Sequence, residues 1–214
     1  MTDCSWQAWG YFITVEGIEG AGKSTAMPVL AEMARHLGYE VEMTREPGGG
    51  ALGERLRGIF LDPGLELDAD EELLLLYAGR LEHVRRRILP ALASGKVVIC
   101  DRFEDSTFAY QGGGRHVPLD RINALSSWAG LKCTPDLTFW LDVSPEVGAG
   151  RIRSRERDRL EREGLDFFRS AREMFGRRME ADPGRFCRID AGLSLEEIGV
   201  CLQGELQKRL PGRT

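Results

Sequence analysis

Along this 214-residue chain, short apolar runs alternate with longer stretches whose apolar positions recur at helical spacing. The runs at 11–16 (YFITVE), 39–44 (YEVEMT), 96–100 (KVVIC), 137–141 (LTFWL) and 186–190 (FCRID) predict strands. Helices are predicted near 22–37, 51–60, 69–93, 118–130, 145–154, 166–181 and 194–209, with another beginning just past the third strand. Strands alternating with helices imply βαβ units, hence an α/β fold with a five-stranded parallel sheet flanked by helices. Right-handed crossovers bring every strand's carboxyl end to one edge, where ligands of open α/β sheets bind. The residues that follow the predicted strands are Glu16-Gly17, Thr44-Arg45-Glu46, Asp101-Arg102, Asp142 and Asp190. Loops are polar in general, but the arginines and glycines at these places favour a ligand site.

Composition removes several function classes. Apolar residues make up 42% and charged residues 29%, as in an ordinary globular domain. The net charge of −5 argues against a protein that coats a nucleic acid polymer or an anionic membrane. The apolar stretch from Leu73 to Ala78 is too short to span a bilayer, and the first ten residues, MTDCSWQAWG, carry no signal-peptide pattern. Five scattered cysteines without a CxxC, and only three histidines, argue against disulfide frameworks and zinc sites and for a reducing cytoplasm. Arginines number 25 against 4 lysines. That bias suits bidentate phosphate contacts, though a genomic codon preference gives the same ratio.

One motif names a ligand. Gly17-Ile18-Glu19-Gly20-Ala21-Gly22-Lys23-Ser24 fits GxxxxGK[ST], after a predicted strand and before a predicted helix. Backbone N–H groups of such a loop cradle phosphates, helped by the helix dipole. Lys23 then reaches the β- and γ-phosphates, and the Ser24 hydroxyl binds Mg²⁺. The loop through Thr25 is therefore the expected site of a nucleotide's phosphates, within a P-loop NTPase three-layer sandwich, though the motif alone names no reaction. Pro28 falls in the first turns of the following helix, where it costs least. No NKxD sequence of a GTPase is present.

The stretches FITVEGIEGAGKST, TREPGGGALGERLR, LLLLYAGRLEH, DRFEDSTFAYQGGGR, PDLTFWLDVSPEVG and RIRSRERDRLEREGLDFF resemble those of bacterial thymidylate kinases, in the same order over roughly 11–195. The resemblance implies transfer of the γ-phosphoryl group of ATP to dTMP, with Mg²⁺, in a cytoplasmic homodimer. It implies one kinase domain over 11–210, an N-terminal extension of residues 1–10, and an Arg-rich lid at about 148–164.

Phosphoryl transfer needs positioning and charge neutralisation, and the resemblance distributes those tasks. Lys23, Asp101 and Arg102 are expected to be catalytic, with Asp101 and Ser24 toward the metal. Arg45 and Arg102 match arginines that hold the acceptor phosphate. Glu19 matches an acid that meets the sugar 3′-hydroxyl or supports the metal. Leu76 and Arg80, at i and i+4, share a helix face. The matching arginine contacts a thymine carbonyl, whereas the matching aromatic is here Leu76. Thr107 and Gln111 resemble polar groups of the base pocket, and Tyr110 resembles a ring beneath the sugar, on the acceptor side of the cleft rather than under the P-loop. The glycines after Gln111 read equally as a turn. Residues 151–163 hold ten charges in thirteen positions, with arginines at 151, 153, 155, 157 and 159. Alternating residues do not share a helix face, so this segment suits a closing loop better than a solvated helix. Members of that family without a P-loop arginine carry the catalytic one in the lid; this P-loop has none, so the resemblance implies a lid arginine, with Arg153 and Arg155 as candidates. Two alternatives remain open: a kinase of this fold with another acceptor, which Leu76 favours, and a nucleotide-binding regulatory module, which the intact Lys23, Ser24 and Asp101 oppose.

Overall fold

The computed structural model describes residues 9–129, 133–152, 158–210 and 212. Five parallel strands, β1 (Tyr11–Glu16), β2 (Val41–Arg45), β3 (Val97–Asp101), β4 (Leu137–Asp142) and β5 (Phe186–Asp190), form one sheet in the order β2-β3-β1-β4-β5. Both faces are covered, which is why these strands read as nearly unbroken apolar runs. On one side Phe12, Val98 and Cys100 pack with Val84, Ile88 and Leu92. Ile13, Val15 and Ile99 belong instead to the cluster with Leu30, Ala31 and Ala34 of helix α1 (Lys23–His36).

Two strand boundaries differ from expectation in ways that matter. The second strand begins at Val41 because Tyr39 still belongs to the end of α1: Gly38 turns left-handed (φ 88°) and Tyr39 N–H donates to the Ala34 carbonyl. The third and fourth strands run one residue further and include Asp101 and Asp142.

The long helix expected over 69–93 is one continuous path in three parts. Helix α3 (Ala69–His83) starts at an Asp68–Glu71 capping box, passes into a π turn (Val84–Ile88), and continues as α4 (Leu89–Ala93). Pro90 has no N–H to donate, which accounts for the break in regular bonding just before it. Past β3, α5 (Glu104–Thr107) runs into a second π segment (Phe108–Gly114), so the triple glycine is helical rather than a turn. A Cβ on Gly113 would lie 2.7 Å from the Ser170 carbonyl, and one on Gly114 would lie 2.4 Å from the Phe167 ring. Only glycine lets helix α8 (Leu165–Ala181) pack this closely. The remaining helices are α2 (Ala51–Leu61), α6 (Leu119–Trp128), α7 (Pro145–Arg151) and α9 (Leu195–Arg209), with a short 3₁₀ turn at Leu160–Arg162. Helix α7 ends at Arg151, short of the expected 154.

Candidate active site

The carboxyl ends of β1, β3 and β2 open onto a cleft of ≈ 840 Å³. After β1, Gly17, Gly20 and Gly22 take positive φ (139°, 74° and 90°), the path that turns a loop's N–H groups inward. The loop rests on α7: a Cβ on Gly20 would lie 2.3 Å from the Gly148 carbonyl, and one on Gly148 would lie 2.4 Å from the Glu19 carbonyl. Helix α1 begins at Lys23 with no side-chain cap. Lys23 Nζ, buried, donates to the carbonyls of Gly17 (2.9 Å) and Ile18 (3.0 Å). Burial, with the charge of Arg102 next, lowers its pKa to about 8.

Arg102 adopts φ 65°, an uncommon backbone for arginine. That turn sends the side chain back over the donor loop. Nη1 donates to the Gly17 carbonyl (2.9 Å) and Ser106 Oγ (3.2 Å), and Nη2 pairs with Glu19 Oε1 (2.7 Å). Tyr110 donates its hydroxyl to Glu19 Oε2 (2.6 Å) and lies 4.9 Å beneath the Arg102 guanidinium. The ring thus reaches the P-loop through Glu19, the acid that the resemblance sets toward the acceptor sugar. Glu19 has both carboxylate oxygens engaged by Arg102 and Tyr110.

Beneath this loop Glu16, fully buried, accepts from Phe103 N–H (2.7 Å) and Ser106 Oγ (2.5 Å). Burial, then the charge of Asp105, raises its pKa to about 7. An acid shifted upward binds more protons folded than unfolded. Its stability contribution therefore falls as pH rises from about 4.5 to about 7 and stays low above that. Glu16→Gln removes this ionisation. The variant's melting temperature relative to wild type is expected to be most favourable above pH 7 and to decline toward pH 4.5. Paired thermal scans across that range check it, and a difference flat in pH contradicts it.

Asp101 lines the cleft, and its Oδ1 is buried without a hydrogen-bond partner. Such an orphan oxygen invites a cation or an ordered water. Ser24, exposed in the same cleft, adds a hydroxyl.

At the other end Arg80 is 2% exposed, far from a solvated helix face. It lies between the rings of Tyr77 (5.0 Å) and Phe103 (5.2 Å). Nε donates to Glu46 Oε2 (2.7 Å), and Nη2 to Thr107 Oγ1 (2.8 Å) and the Phe103 carbonyl (3.2 Å). Nη1 is buried and has no partner. Thr107 thus orients Arg80. Gln111 donates its amide nitrogen to Glu72 Oε2 (2.8 Å), and Leu76 forms apolar wall.

Sequence reasoning missed several of these groups. Glu46 accepts from both Arg80 and His83 Nδ1 (2.9 Å), and His83 Nε2 shares a hydrogen bond with Thr44 Oγ1 (2.7 Å). Arg57 lines the cleft beside Arg45 and donates to the Pro47 carbonyl (2.9 Å). Burial, then the charge of Arg45, lowers its pKa. Arg45 itself is half exposed and pairs with Glu54 (2.9 Å). The one available signal was position: Glu46 follows the second strand at the ligand edge, whereas Arg57 sits mid-helix among other charges.

The five alternating arginines separate. Arg151 bridges the Gly20 carbonyl (3.1 Å) and the Ala191 carbonyl (2.9 Å) on the donor side. Arg159 is committed elsewhere, to the Phe60 carbonyl (2.9 Å) and Glu72 (2.6 Å). Arg153, Arg155 and Arg157 lie outside the described residues. Asp142 is held by Arg172 (2.6 Å) and Arg188 (2.9 Å), and Asp190 accepts from Gly192 N–H (2.8 Å). Neither lines the cleft, because β4 and β5 lie on the far side of β1.

Comparison with known proteins gives one consistent result. The thymidylate kinase family model matches residues 15–199. A thymidylate kinase of Pseudomonas fluorescens (strain Pf0-1) is 51% identical over 191 residues, covering 88% of this chain and 91% of that protein. One from Pseudomonas syringae pv. tomato is 47% identical over 204 residues, covering 94% of this chain and 95% of that protein. The crystal structure of thymidylate kinase from Ehrlichia chaffeensis aligns with TM-score 0.76 and 33% identity, over 93% of this chain and 99% of that one.

Proposed function

Because the chain belongs to the thymidylate kinase family, we propose that the cleft over β1, β3 and β2 is where it works, with donor and acceptor held by the residues that follow. The enzyme transfers the γ-phosphoryl group of ATP to dTMP, giving dTDP and ADP, a step of dTTP synthesis.

The ATP phosphates lie on the loop from Gly17 through Thr25. Lys23 turns from its two loop carbonyls to neutralise the β- and γ-oxygens. Asp101 and Ser24 fit a magnesium ion: the orphan buried carboxylate oxygen and the hydroxyl form a hard-oxygen set. When bound, the ion supplies positive charge at the nucleotide phosphates. Arg102, Arg45 and Arg57 clamp the acceptor phosphate, and Arg80 offers its free Nη1 to a carbonyl of the base. Tyr110 and Glu19 face the sugar. The lid, about 148–164, supplies the catalytic arginine from Arg153 or Arg155 and excludes water on closing.

A single observation carries this reading: the Gly17 carbonyl accepts from both Lys23 and Arg102. Donor and acceptor cations therefore meet at one atom. Incubation with magnesium and γ-labelled ATP tests it: label is expected in dTDP when dTMP is present. Label found only as inorganic phosphate contradicts it.

The unit acts as one kinase domain over 11–210 and as a homodimer in the cytoplasm. Leu74 of α3 and Trp128 of α6, 59% and 81% exposed, support the pairing. The described cysteines Cys100, Cys133, Cys187 and Cys201 are all free thiols, which suits a reducing compartment. Among the described residues no helix is long and apolar enough to cross a membrane.

Leu76 makes the base contact testable. It buries area against a base but cannot stack, and base–aromatic stacking is worth about 1–3 kcal/mol. Leu76→Phe is expected to tighten dTMP binding roughly tenfold. Calorimetric titration measures it, and an unchanged or weaker affinity contradicts the assignment.

A further inference from the structure

Glu72 takes no part in the transfer above, yet it is a carboxylate with no solvent exposure on the first turn of α3. Its Oε1 accepts from Arg115 Nη2 (2.9 Å) and Nε (3.2 Å) and from Arg159 Nη1 (2.6 Å). Its Oε2 accepts from Gln111 Nε2 (2.8 Å). Both arginines are anchored in turn, Arg115 by Glu163 (2.7 Å) and the Phe167 ring (4.9 Å), Arg159 by the Phe60 carbonyl (2.9 Å). Glu72 is thus fixed from one side by two guanidinium groups and meets Gln111 as a rigid group that can only accept.

A primary amide has a donor end and an acceptor end, related by one torsion. With the nitrogen committed to Glu72, the oxygen is the end left for the cleft that Gln111 lines. Arg80 belongs to the same wall, bonded to Thr107 one turn before Gln111, and offers a buried donor with no partner. A pyrimidine with an N–H at N3 and a carbonyl at C4 complements this pair. Cytosine reverses both, with a lone pair at N3 and an amino group at C4.

We propose that Glu72 is a positioning residue for selection of the acceptor base: by fixing the direction of the Gln111 amide, it makes the cleft accept thymine and reject cytosine. The proposal rests on reading the cleft as the dTMP site.

The test uses the full chain with magnesium and ATP and compares kcat/KM for dTMP and dCMP. Glu72→Gln can present either end of its own amide, so Gln111 is free to turn over. The dTMP-to-dCMP ratio is expected to fall at least about tenfold, mainly through a higher KM for dTMP, because an unmatched polar edge is what such a site rejects. In a Gln111→Ala background the same substitution is expected to leave the ratio unchanged. A role in packing alone lowers both substrates in proportion, and that result overturns the proposal. A second measurement needs no change at Glu72. The chain has four glutamines, Gln7, Gln111, Gln203 and Gln207, so the side-chain amide signal of Gln111 is assigned by its loss in Gln111→Ala. In ¹⁵N spectra of the wild type its protons are expected to exchange slowly and to stay in place when dTMP is added. A large shift or fast exchange on adding dTMP shows the nitrogen turned to the ligand and overturns the proposal even where Glu72→Gln does not fold. If the wild type itself shows no preference for dTMP over dCMP, the dTMP reading fails and the proposal with it. If that preference stands and Glu72→Gln leaves it intact, the proposal alone fails.

Discussion

Lys23→Met is expected to fold and to lose about 10²- to 10³-fold in kcat at saturating ATP, the scale of removing one preorganised electrostatic donor. Methionine matches the length and apolar stem of lysine, and the site is already buried, so packing survives. The loop carbonyls of Gly17 and Ile18 each lose one donor and keep another, Arg102 Nη1 (2.9 Å) and the Ala21 N–H (3.3 Å), so the cost in stability is about 1 kcal/mol. A thermal shift of a few degrees follows, not unfolding. The charge is what cannot be replaced. The loop already strains it: burial lowers the lysine's pKa to about 8, and a phosphate is the partner that restores the charged form. Turnover within tenfold of wild type contradicts the donor-site assignment.

Arg102→Ala is expected to cost roughly 10³-fold in kcat/KM for dTMP, while KM for ATP moves little, as for loss of a charge-bearing clamp. The side chain has three tasks at once: it pairs with Glu19, it donates to Gly17 and Ser106, and it caps the Tyr110 ring. Among the described residues, removing it leaves the Glu19 carboxylate with the Tyr110 hydroxyl alone. Arg102→Lys restores the charge but not the fork, so it is expected to recover less than about a tenth of the lost rate. Steady-state kinetics with each substrate varied checks both variants. A kcat/KM for dTMP within tenfold of wild type in Arg102→Ala would remove Arg102 from the acceptor site.

Local signals exposed part of this site and hid the rest. Gly17–Ser24 is legible because one contiguous stretch carries all the chemistry. The spacing of Arg80 and Leu76 sets the two on one face of α3, but only the family resemblance pointed that face at the base, and spacing alone also fits a solvated face. Glu72 is not legible. It follows Asp70 and Glu71 in the first turn of a helix, where acids serve the helix dipole, and nothing local separates it from them. Its partners Gln111, Arg115 and Arg159 lie 39, 43 and 87 residues away, so only the folded chain reveals it. The same holds for Arg159, one of five alternating arginines until Phe60 and Glu72 claim it. The sheet was legible because buried parallel strands leave unbroken apolar runs. The segment 108–114 was not, since its glycines are ambiguous until α8 packs against them. The strand-edge pattern over-reached at Asp142 and Asp190, because sheet order, not strand number, decides which ends share a cleft.

The most direct measurement is kcat/KM with magnesium and ATP for dTMP, dUMP, dCMP, dGMP and thymidine, assayed side by side. The expected result is dTMP first, dCMP and dGMP lower by at least about tenfold, and thymidine without detectable transfer, since it offers no phosphate to Arg102, Arg45 and Arg57. A higher kcat/KM for any other acceptor, or no transfer to dTMP, would contradict the account.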